Sequence, residues 1–532
     1  MTLPTSAAPP VTPPGPALRA LAGLVAALAA VGVGHGLAAL INPPASPIIA
    51  VGSVLIDAAP TPAKEFAVRT FGTYDKPILI SSIGVVLLIF AAALGLIAWR
   101  RRLLALIGIS LLGVAGIAAA VYRGSAIDAV PSLVAGAVGV AALSIMTSVR
   151  PDPTEEPDEL AKSGRRSVEI PDPIRMSDST RRRFLFGLGG AGLLAAVAGG
   201  GGVILERVRQ AGSAARRMVG LPTPGSAAKA IPAGAQLDRV TPFITANDKF
   251  YRVDISLVTP RVEIEGWTLT IDGMVDKPLR LSYPDLLKLP MIERNITLTC
   301  VSNEVGGPYV STSKWLGVPF AEIIKQVGVQ PGVEQVYSYS SDSGYTCSTP
   351  YQAASDGRDA MIVVAMNGEP LPDAHGFPAR MLVPGLFGFV SATKWLSRIE
   401  FTTYAKRSAY WTDRKWATDA PILTQSRIDV PKSLSTVPKE KAVIAGVAWA
   451  QHRGIDKVEI KIDDGDWRET KLAESAGIDL WRQWSYVYEG PTGLHSAQVR
   501  ATDRDGETQP ERRTKVFPSG ATGWHQIQFT TE

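Results

Sequence analysis

A thiol placed at the end of an apolar alternation is the first feature of this chain able to do chemistry. It is Cys300, one of only two cysteines in 532 residues, within Thr297-Leu298-Thr299-Cys300-Val301-Ser302-Asn303. Asn295 to Thr299 alternates like a half-buried strand, and Ser302 to Ser313 reads as a polar loop with bare backbone at Gly306 and Gly307. A thiolate suits soft or high-valent sulfur-loving metals, whereas carboxylates suit hard cations. Two other readings stay open here: a small buried apolar side chain, and a Cys300–Cys347 disulfide in an exported domain. The paired spacing of a zinc site is missing.

A second group lies downstream, in His375-Gly376-Phe377-Pro378-Ala379-Arg380 and Ala392-Thr393-Lys394-Trp395. Glycines let the backbone approach a ligand. Arg380 can grip a phosphate with two donors, Lys394 adds a point charge, and His375 sits on a loop where binding residues concentrate. The same residues also read as a surface Arg and Lys beside a turn histidine.

The elements that must carry these groups are short strands and helices. Val262–Glu265, Leu269–Ile271 and Val275–Leu281 read as strands, and a short helix from Tyr283 to Lys288 opens after Ser282. Phe320 leads a helix to Val327, while Tyr337–Tyr345 and Ala360–Met366 read as strands.

With these pieces in place, residues from about Leu237 to His525 resemble the sulfite-oxidase family of molybdopterin-dependent oxidoreductases. The resemblance rests on Phe250-Tyr251-Arg252, the Thr297 to Asn303 stretch, Met366-Asn367-Gly368-Glu369-Pro370-Leu371-Pro372, His375 to Arg380, and Lys394-Trp395, in the family's order and spacing. It implies that Cys300 is the protein thiolate on molybdenum, beside a pterin dithiolene. Phe250, Tyr251, Arg252 and Asp254 would line the molybdenum–molybdopterin cofactor, with Arg252 facing the open position. His375 and Arg380 would hold the pterin and its phosphate, Ala392, Thr393 and Lys394 would close the other side, and Asn303 and Asp342 would complete the set. The reaction class is oxygen-atom transfer coupled to two-electron redox, with the protein orienting and tuning the cofactor.

The chain departs from the family's pattern in one telling place. Where sulfite oxidases carry further arginines soon after the ligand cysteine, it reads Asn303-Glu304-Val305-Gly306. An acidic residue there repels sulfite, so a sulfoxide or N-oxide stands beside a small oxo-acid as substrate. The tyrosine expected near the metal is read as replaced by Trp416, and Cys347 as buried without a role. A rival reading is a non-catalytic, membrane-tethered binding or assembly module that keeps the fold without the metal.

The first third of the chain is of another kind. Four apolar runs, near Leu18–Ile41, Pro77–Trp99, Leu103–Tyr122 and Ala129–Ser148, are each about long enough to cross a bilayer. Arg100, Arg101 and Arg102 in the loop between the second and third place that loop inside. Thr180-Arg181-Arg182-Arg183-Phe184-Leu185 and the apolar run after it resemble a twin-arginine export signal; an ordinary fifth span is the other reading. Either way, everything after about Arg207 is expected outside the cytoplasm, on a multi-pass plasma-membrane protein. Gly187 to Gly192 fits GxGxxG, but arginines rather than a strand precede it, so no dinucleotide site is read there. Of five histidines only His35 lies in a span, and no CxxCH occurs, so no haem is predicted and electrons are expected to pass to an external cytochrome or quinone.

The expected order is therefore a disordered stretch at 1–16, four transmembrane helices at 17–148, a cytoplasmic linker at 149–180, the signal or fifth helix at 181–206, and a second linker at 207–236. An α+β molybdopterin domain at 237–426 and a C-terminal domain at 427–532 follow. Alternation at Val458–Ile462 and Ala497–Ala501, with turns at Asp463-Asp464-Gly465-Asp466 and Asp505-Gly506, suggests an immunoglobulin-like β-sandwich. Trp449, Trp467, Trp481 and Trp484 are read as its core, and the family's use of such a domain makes a homodimer an expectation. A net charge of +5 with 19% charged residues is not the profile of a nucleic-acid binder. Two cysteines exclude a four-cysteine iron–sulfur cluster within the chain.

Overall fold

The computed structural model describes residues 15–60, 63, 66, 70–71, 75–147, 186, 188–193, 195–201, 220–341 and 344–532. The linker 149–180, the Thr180 to Leu185 motif and Asp342 lie outside the described residues. The chain divides into two compact units, Met1–Gly212 and Ser213–Glu532.

The first unit is helical: α1 (Pro16–Ile41), α2 (Pro47–Ala58), α3 (Asp75–Ala98), α4 (Arg102–Arg123) and α5 (Val130–Thr147). Among the described residues four helices, Pro16–Ile41, Lys76–Ala98, Arg102–Arg123 and Ala126–Thr147, are long and apolar enough to cross a membrane. Helix α2 was not anticipated. Pro43, Pro44 and Pro47 look like loop, but proline is tolerated in a first helical turn, and α2 begins on one. Small residues set the packing: a Cβ on Gly23 or Gly95 would run into the other helix's backbone. His35 Nδ1 meets Ser46 Oγ at 3.2 Å, and Arg123 pairs with Asp57 at 2.7 Å.

The second unit opens with ten strands: β1 (Thr268–Gly273), β2 (Leu279–Ser282), β3 (Ile292–Thr299), β4 (Val310–Pro319), β5 (Gln335–Ser340), β6 (Thr346–Pro350), β7 (Met361–Met366), β8 (Glu369–Pro370), β9 (Arg380–Leu382) and β10 (Leu396–Thr402). They form two sheets, ordered β2-β1-β10-β5-β6 and β3-β4-β7-β8, with β9 on β7. Between them lie α6 (Tyr283–Leu287), α7 (Phe320–Val327), α8 (Tyr351–Ser355) and α9 (Gly388–Ser391). A capping box of Ser282 and Asp285 starts α6, and Gly328 at φ +63° ends α7. Val262–Glu265 is not a strand, and of Val275–Leu281 only the last part is strand, as β2, with Val275 in an isolated bridge to Val329. The 337–345 strand stops at Ser340.

β3 also differs from the half-buried strand its alternation suggested. Its last four residues are all buried. Its second face is covered by the C-terminal part of the chain: Thr297 N donates to Asp479 O at 2.9 Å, and Trp481 N donates to Thr297 Oγ1 at 3.0 Å.

Nine further strands follow: β11 (Gln425–Val430), β12 (Ser435–Val437), β13 (Val443–Trp449), β14 (Ile455–Ile462), β15 (Arg468–Glu469), β16 (Lys471–Leu472), β17 (Arg482–Val487), β18 (Gly493–Asp503) and β19 (His525–Thr531). They make two sheets, β11-β13-β17-β16 and β12-β19-β18-β14-β15, around a core that includes Ile444, Val458, Trp484, Val499 and Phe529. Trp449 and Trp481 are buried in the neighbouring core, beneath the first sheets. Trp467 is not core. It stands half-buried against Trp524, with the Arg500 guanidinium 4.2 Å above its ring.

Candidate active site

Cys300 is the first residue after β3, in the loop that joins β3 to β4. Its N–H donates to Tyr309 O at 3.0 Å, and Asn303 N donates back to Cys300 O at 3.0 Å, so the thiol sits on a tightly closed loop. Ser302 N–H points at Cys300 Sγ from 3.4 Å. Asn303 is buried; its Oδ1 accepts from Tyr309 N at 2.8 Å, and its Nδ2 has no partner. Both cysteines are free, which removes the disulfide reading. Burial pushes the Cys300 thiol up, while Ser302 and the Lys394 ammonium oppose that.

The C-terminal sheets hold this loop from behind. Arg427, itself paired with Asp429 at 2.7 Å, donates to Gly307 O at 2.9 Å, and Arg513 donates to Val305 O at 3.3 Å. The His525 ring occupies the space where a Cβ on Gly306 would lie.

The downstream residues converge as a buried basic cradle. Arg380 opens β9 and is 5% exposed; it donates to His375 O at 3.2 Å and to Ala392 O at 3.4 Å, and its guanidinium lies 5.2 Å above the Trp315 ring. Its Nε is buried without a partner. Burial lowers it to about 10, still charged at neutral pH. Lys394 donates to Asp254 at 2.7 Å and to Ala374 O at 3.2 Å, and burial, partly offset by Asp254, lowers it to about 8. His375 meets Asn247 O at 2.9 Å; a carbonyl only accepts, so Nε2 carries the proton. Burial brings His375 down to about 4. Gly376, at φ +107°, lets this turn lie against the Lys394 backbone.

The remaining expected residues fall around the same centre. Phe250 is buried between Tyr251, Trp315 and His375. Tyr251 lies within electrostatic reach of Cys300 and Arg380, and burial raises its phenol. Thr393 is fully buried and shares a 2.6 Å hydrogen bond with Ser338. Arg252 is exposed and engaged: it donates to Asp254 at 2.7 Å and to Thr259 Oγ1 at 2.7 Å. Cys347 is fully buried, with its thiol 3.2 Å from Phe389 O.

Two residues of the site were not anticipated. Burial raises the Tyr345 phenol far above the ordinary value, and the Cys347 and Cys300 thiols add to that. Trp416 packs against Phe389, Trp411 and Phe517. Asn247 is the other; its side chain bridges Met366 O, Glu369 and Asn367 behind His375. The signal for Tyr345 was its place just after a glycine turn and two residues before the second cysteine.

A phosphorylated pterin dithiolene fits this donor set. The cradle buries two cations against one carboxylate, and Arg380 Nε and Asn303 Nδ2 are buried donors still to be satisfied. One isolated thiol fits a metal whose other ligands come with the cofactor. Among the described residues no three His, Cys, Asp or Glu side chains group as a metal site of their own.

Residues 256–411 match the family model described as the oxidoreductase molybdopterin binding domain. Together with the relatives it resembles, this match supports a molybdopterin-dependent oxidoreductase of the sulfite-oxidase type. It is 26% identical over 336 residues to the mitochondrial sulfite oxidase of Homo sapiens, covering 54% of this chain and 61% of that protein. It is 28% identical over 319 residues to the NADH nitrate reductase of Solanum lycopersicum, covering 48% of this chain and 35% of that one. Among solved structures, the sulfane dehydrogenase SoxCD of Paracoccus pantotrophus aligns with a TM-score of 0.47 at 24% identity, over 53% of this chain and 81% of that one. The match thus spans less than two thirds of the mammalian and nitrate-reductase relatives. These relatives imply a molybdenum–molybdopterin cofactor, and Cys300, His375, Arg380 and Lys394 are the buried groups of this site whose chemistry suits one.

Proposed function

We propose that the chain is a membrane-anchored oxidoreductase whose catalytic unit works outside the cytoplasm on a sulfoxide- or N-oxide-like substrate, with sulfite as the second reading. The observation that carries it is the convergence of the Cys300 thiol with the buried Arg380–Lys394 cradle. Molybdenum bound there supplies oxygen-atom transfer coupled to two-electron redox. Every other task falls to the chain. Arg380, His375 and Lys394 hold the pterin and its phosphate, and Cys300 offers one thiolate. The Asn303 loop and the buried aromatics exclude water. Burial keeps Tyr345 protonated.

The substrate preference follows from charge. Arg252 shares the one carboxylate of Asp254 with Lys394, and Glu304 is exposed on the Cys300 loop. The Glu304 charge disfavours a dianionic oxo-acid, whereas a neutral or cationic oxide loses nothing there. Electrons pass to or from an external carrier, a cytochrome or a quinone.

Elemental and pterin analysis of the purified chain, followed by a screen of sulfite, sulfoxides and N-oxides, tests this reading. A chain with neither metal nor pterin after expression with molybdate would favour the non-catalytic alternative. For placement, Arg181→Lys with Arg182→Lys should leave the folded domain on the cytoplasmic side. Full digestion by protease added outside would refute the export signal.

A further inference from the structure

The turn between β7 and β8 is Asn367-Gly368, at φ +53° and +86°. That pair suits a two-residue hairpin, so the turn accounts for the backbone. It does not account for the Asn367 side chain, most of whose bonds leave the hairpin. Its Oδ1 accepts from Ser313 Oγ at 2.8 Å and from Lys314 N at 2.9 Å, both on β4. Its Nδ2 donates to Thr245 O at 2.9 Å and to Asn247 Oδ1 at 2.9 Å. Two acceptor and two donor places are filled, all that a carboxamide has.

This one residue governs both ends of the His375 hydrogen bond. Downstream, the hairpin leads through β8, with Leu371 N on Val364 O at 3.1 Å, into the short turn Asp373–His375 that carries the imidazole. Upstream, the Asn367 carboxamide grips the segment from Thr245 to Asn247, and Asn247 O accepts from His375 Nε2 at 2.9 Å. Asn247 Nδ2 closes the ring by donating to Met366 O and to Glu369, on either side of the turn. The bond made by one ring nitrogen sets the role of the other. His375 Nδ1 makes no hydrogen bond among the described residues, and it is not sealed off as the partnerless Arg380 Nε is. We propose that Asn367 is a positioning residue: by fixing the Asn247 carbonyl against His375 it locks the imidazole as its Nε2–H tautomer, so that Nδ1 is presented as an acceptor to an N–H of the pterin. The pterin half rests on the function proposed above.

The test uses the full chain in detergent at neutral pH with nitrogen-labelled histidine, whose spectra report which ring nitrogen carries the proton. The chain has five histidines, and His375→Gln assigns the signal. Wild-type His375 should show the Nε2–H tautomer alone. Asn367→Gly keeps the positive φ and removes only the side chain, and His375 should then divide between both tautomers. Asn367→Asp keeps the acceptor for Ser313 and Lys314 but sets a carboxylate against Thr245 O and Asn247 Oδ1, and should do the same. Ser313→Ala cuts one of the four bonds without touching Asn247, and should leave the wild-type tautomer. An unchanged His375 in both Asn367 variants would overturn the proposal. So would Ser313→Ala matching them, because a merely structural role loosens His375 from either side. Pterin retained after dialysis should fall about tenfold in Asn367→Gly, the scale of one lost hydrogen bond, and stay near wild type in Ser313→Ala. Equal retention in Asn367→Gly and wild type would overturn the pterin half. A wild-type chain without pterin would defeat the proposed function instead, while the tautomer spectra would still decide the role of Asn367.

Discussion

Lys394 Nζ lies 2.7 Å from Asp254 Oδ2, and the same oxygen accepts from Arg252 Nε at 2.7 Å. One carboxylate from the Phe250–Asp254 segment thus neutralises one of two cations that sit 140 residues apart from it or next to it, and orients both. Asp254 also props up the protonation of Lys394, which burial has lowered to about 8.

Asp254→Asn should therefore make cofactor retention depend on pH. Without the carboxylate Lys394 loses its proton at lower pH, so pterin release should grow from pH 6 to pH 7 in the variant and stay flat over that range in the wild type, whose own rise begins near pH 8. Pterin fluorescence of dialysed protein follows this directly.

Arg380→Met separates stability from binding. The guanidinium is buried without a paired carboxylate among the described residues, which costs the empty fold desolvation energy. The cofactor-free variant should melt at the wild-type temperature or a few degrees above it, while its pterin content falls to background. Differential scanning fluorimetry together with pterin analysis checks both halves.

Gly306→Ala should damage the loop that carries Cys300. Gly306 has φ +79°, and a Cβ would collide with the His525 ring. The left-handed backbone alone costs about 1–3 kcal/mol for most residues, and the collision adds to that. A lowered melting temperature is expected, together with loss of metal that exceeds what unfolding explains.

His525 makes the anchoring of that loop sensitive to acid. Burial, with Arg427 and Arg513 nearby, depresses it to about 4 from an ordinary value near 6.5. Its Nδ1 accepts from Ile428 N at 3.0 Å, which only the unprotonated nitrogen can do. The unfolded chain binds this proton below about pH 6.5 and the folded chain only near 4, so stability falls with acidification across that window. The loss should reach about 3 kcal/mol at most. Denaturant midpoints between pH 7 and pH 4 should drop less in His525→Asn than in the wild type.

Much of the site could be read in the sequence because its residues are bound to motifs with fixed chemistry. Cys300 closes a strand, and Gly376, Arg380 and Lys394 each follow a turn or strand whose pattern is local. The helices of the first third announce themselves by length and apolarity alone. What could not be read depends on contacts across the chain. β3 looked half-buried because nothing in its own residues tells that Asp479 and Trp481 cover its second face. Trp416 was set near the metal from the family's pattern, and its packing against Phe389 and Phe517 comes from residues far away in the chain. Trp467 carries the same alternation signal as its core neighbours, yet it faces outward, where Arg500 and Trp524 give it partners. Helix α2 was hidden by prolines that begin it.

The most direct test is the molybdenum content of purified wild-type chain beside Cys300→Ser, each expressed with molybdate and checked for fold by circular dichroism. The expected result is about one molybdenum per wild-type chain and loss of turnover in a folded Cys300→Ser. Full activity in that variant, or a folded wild type without molybdenum, would contradict the assignment of this thiol.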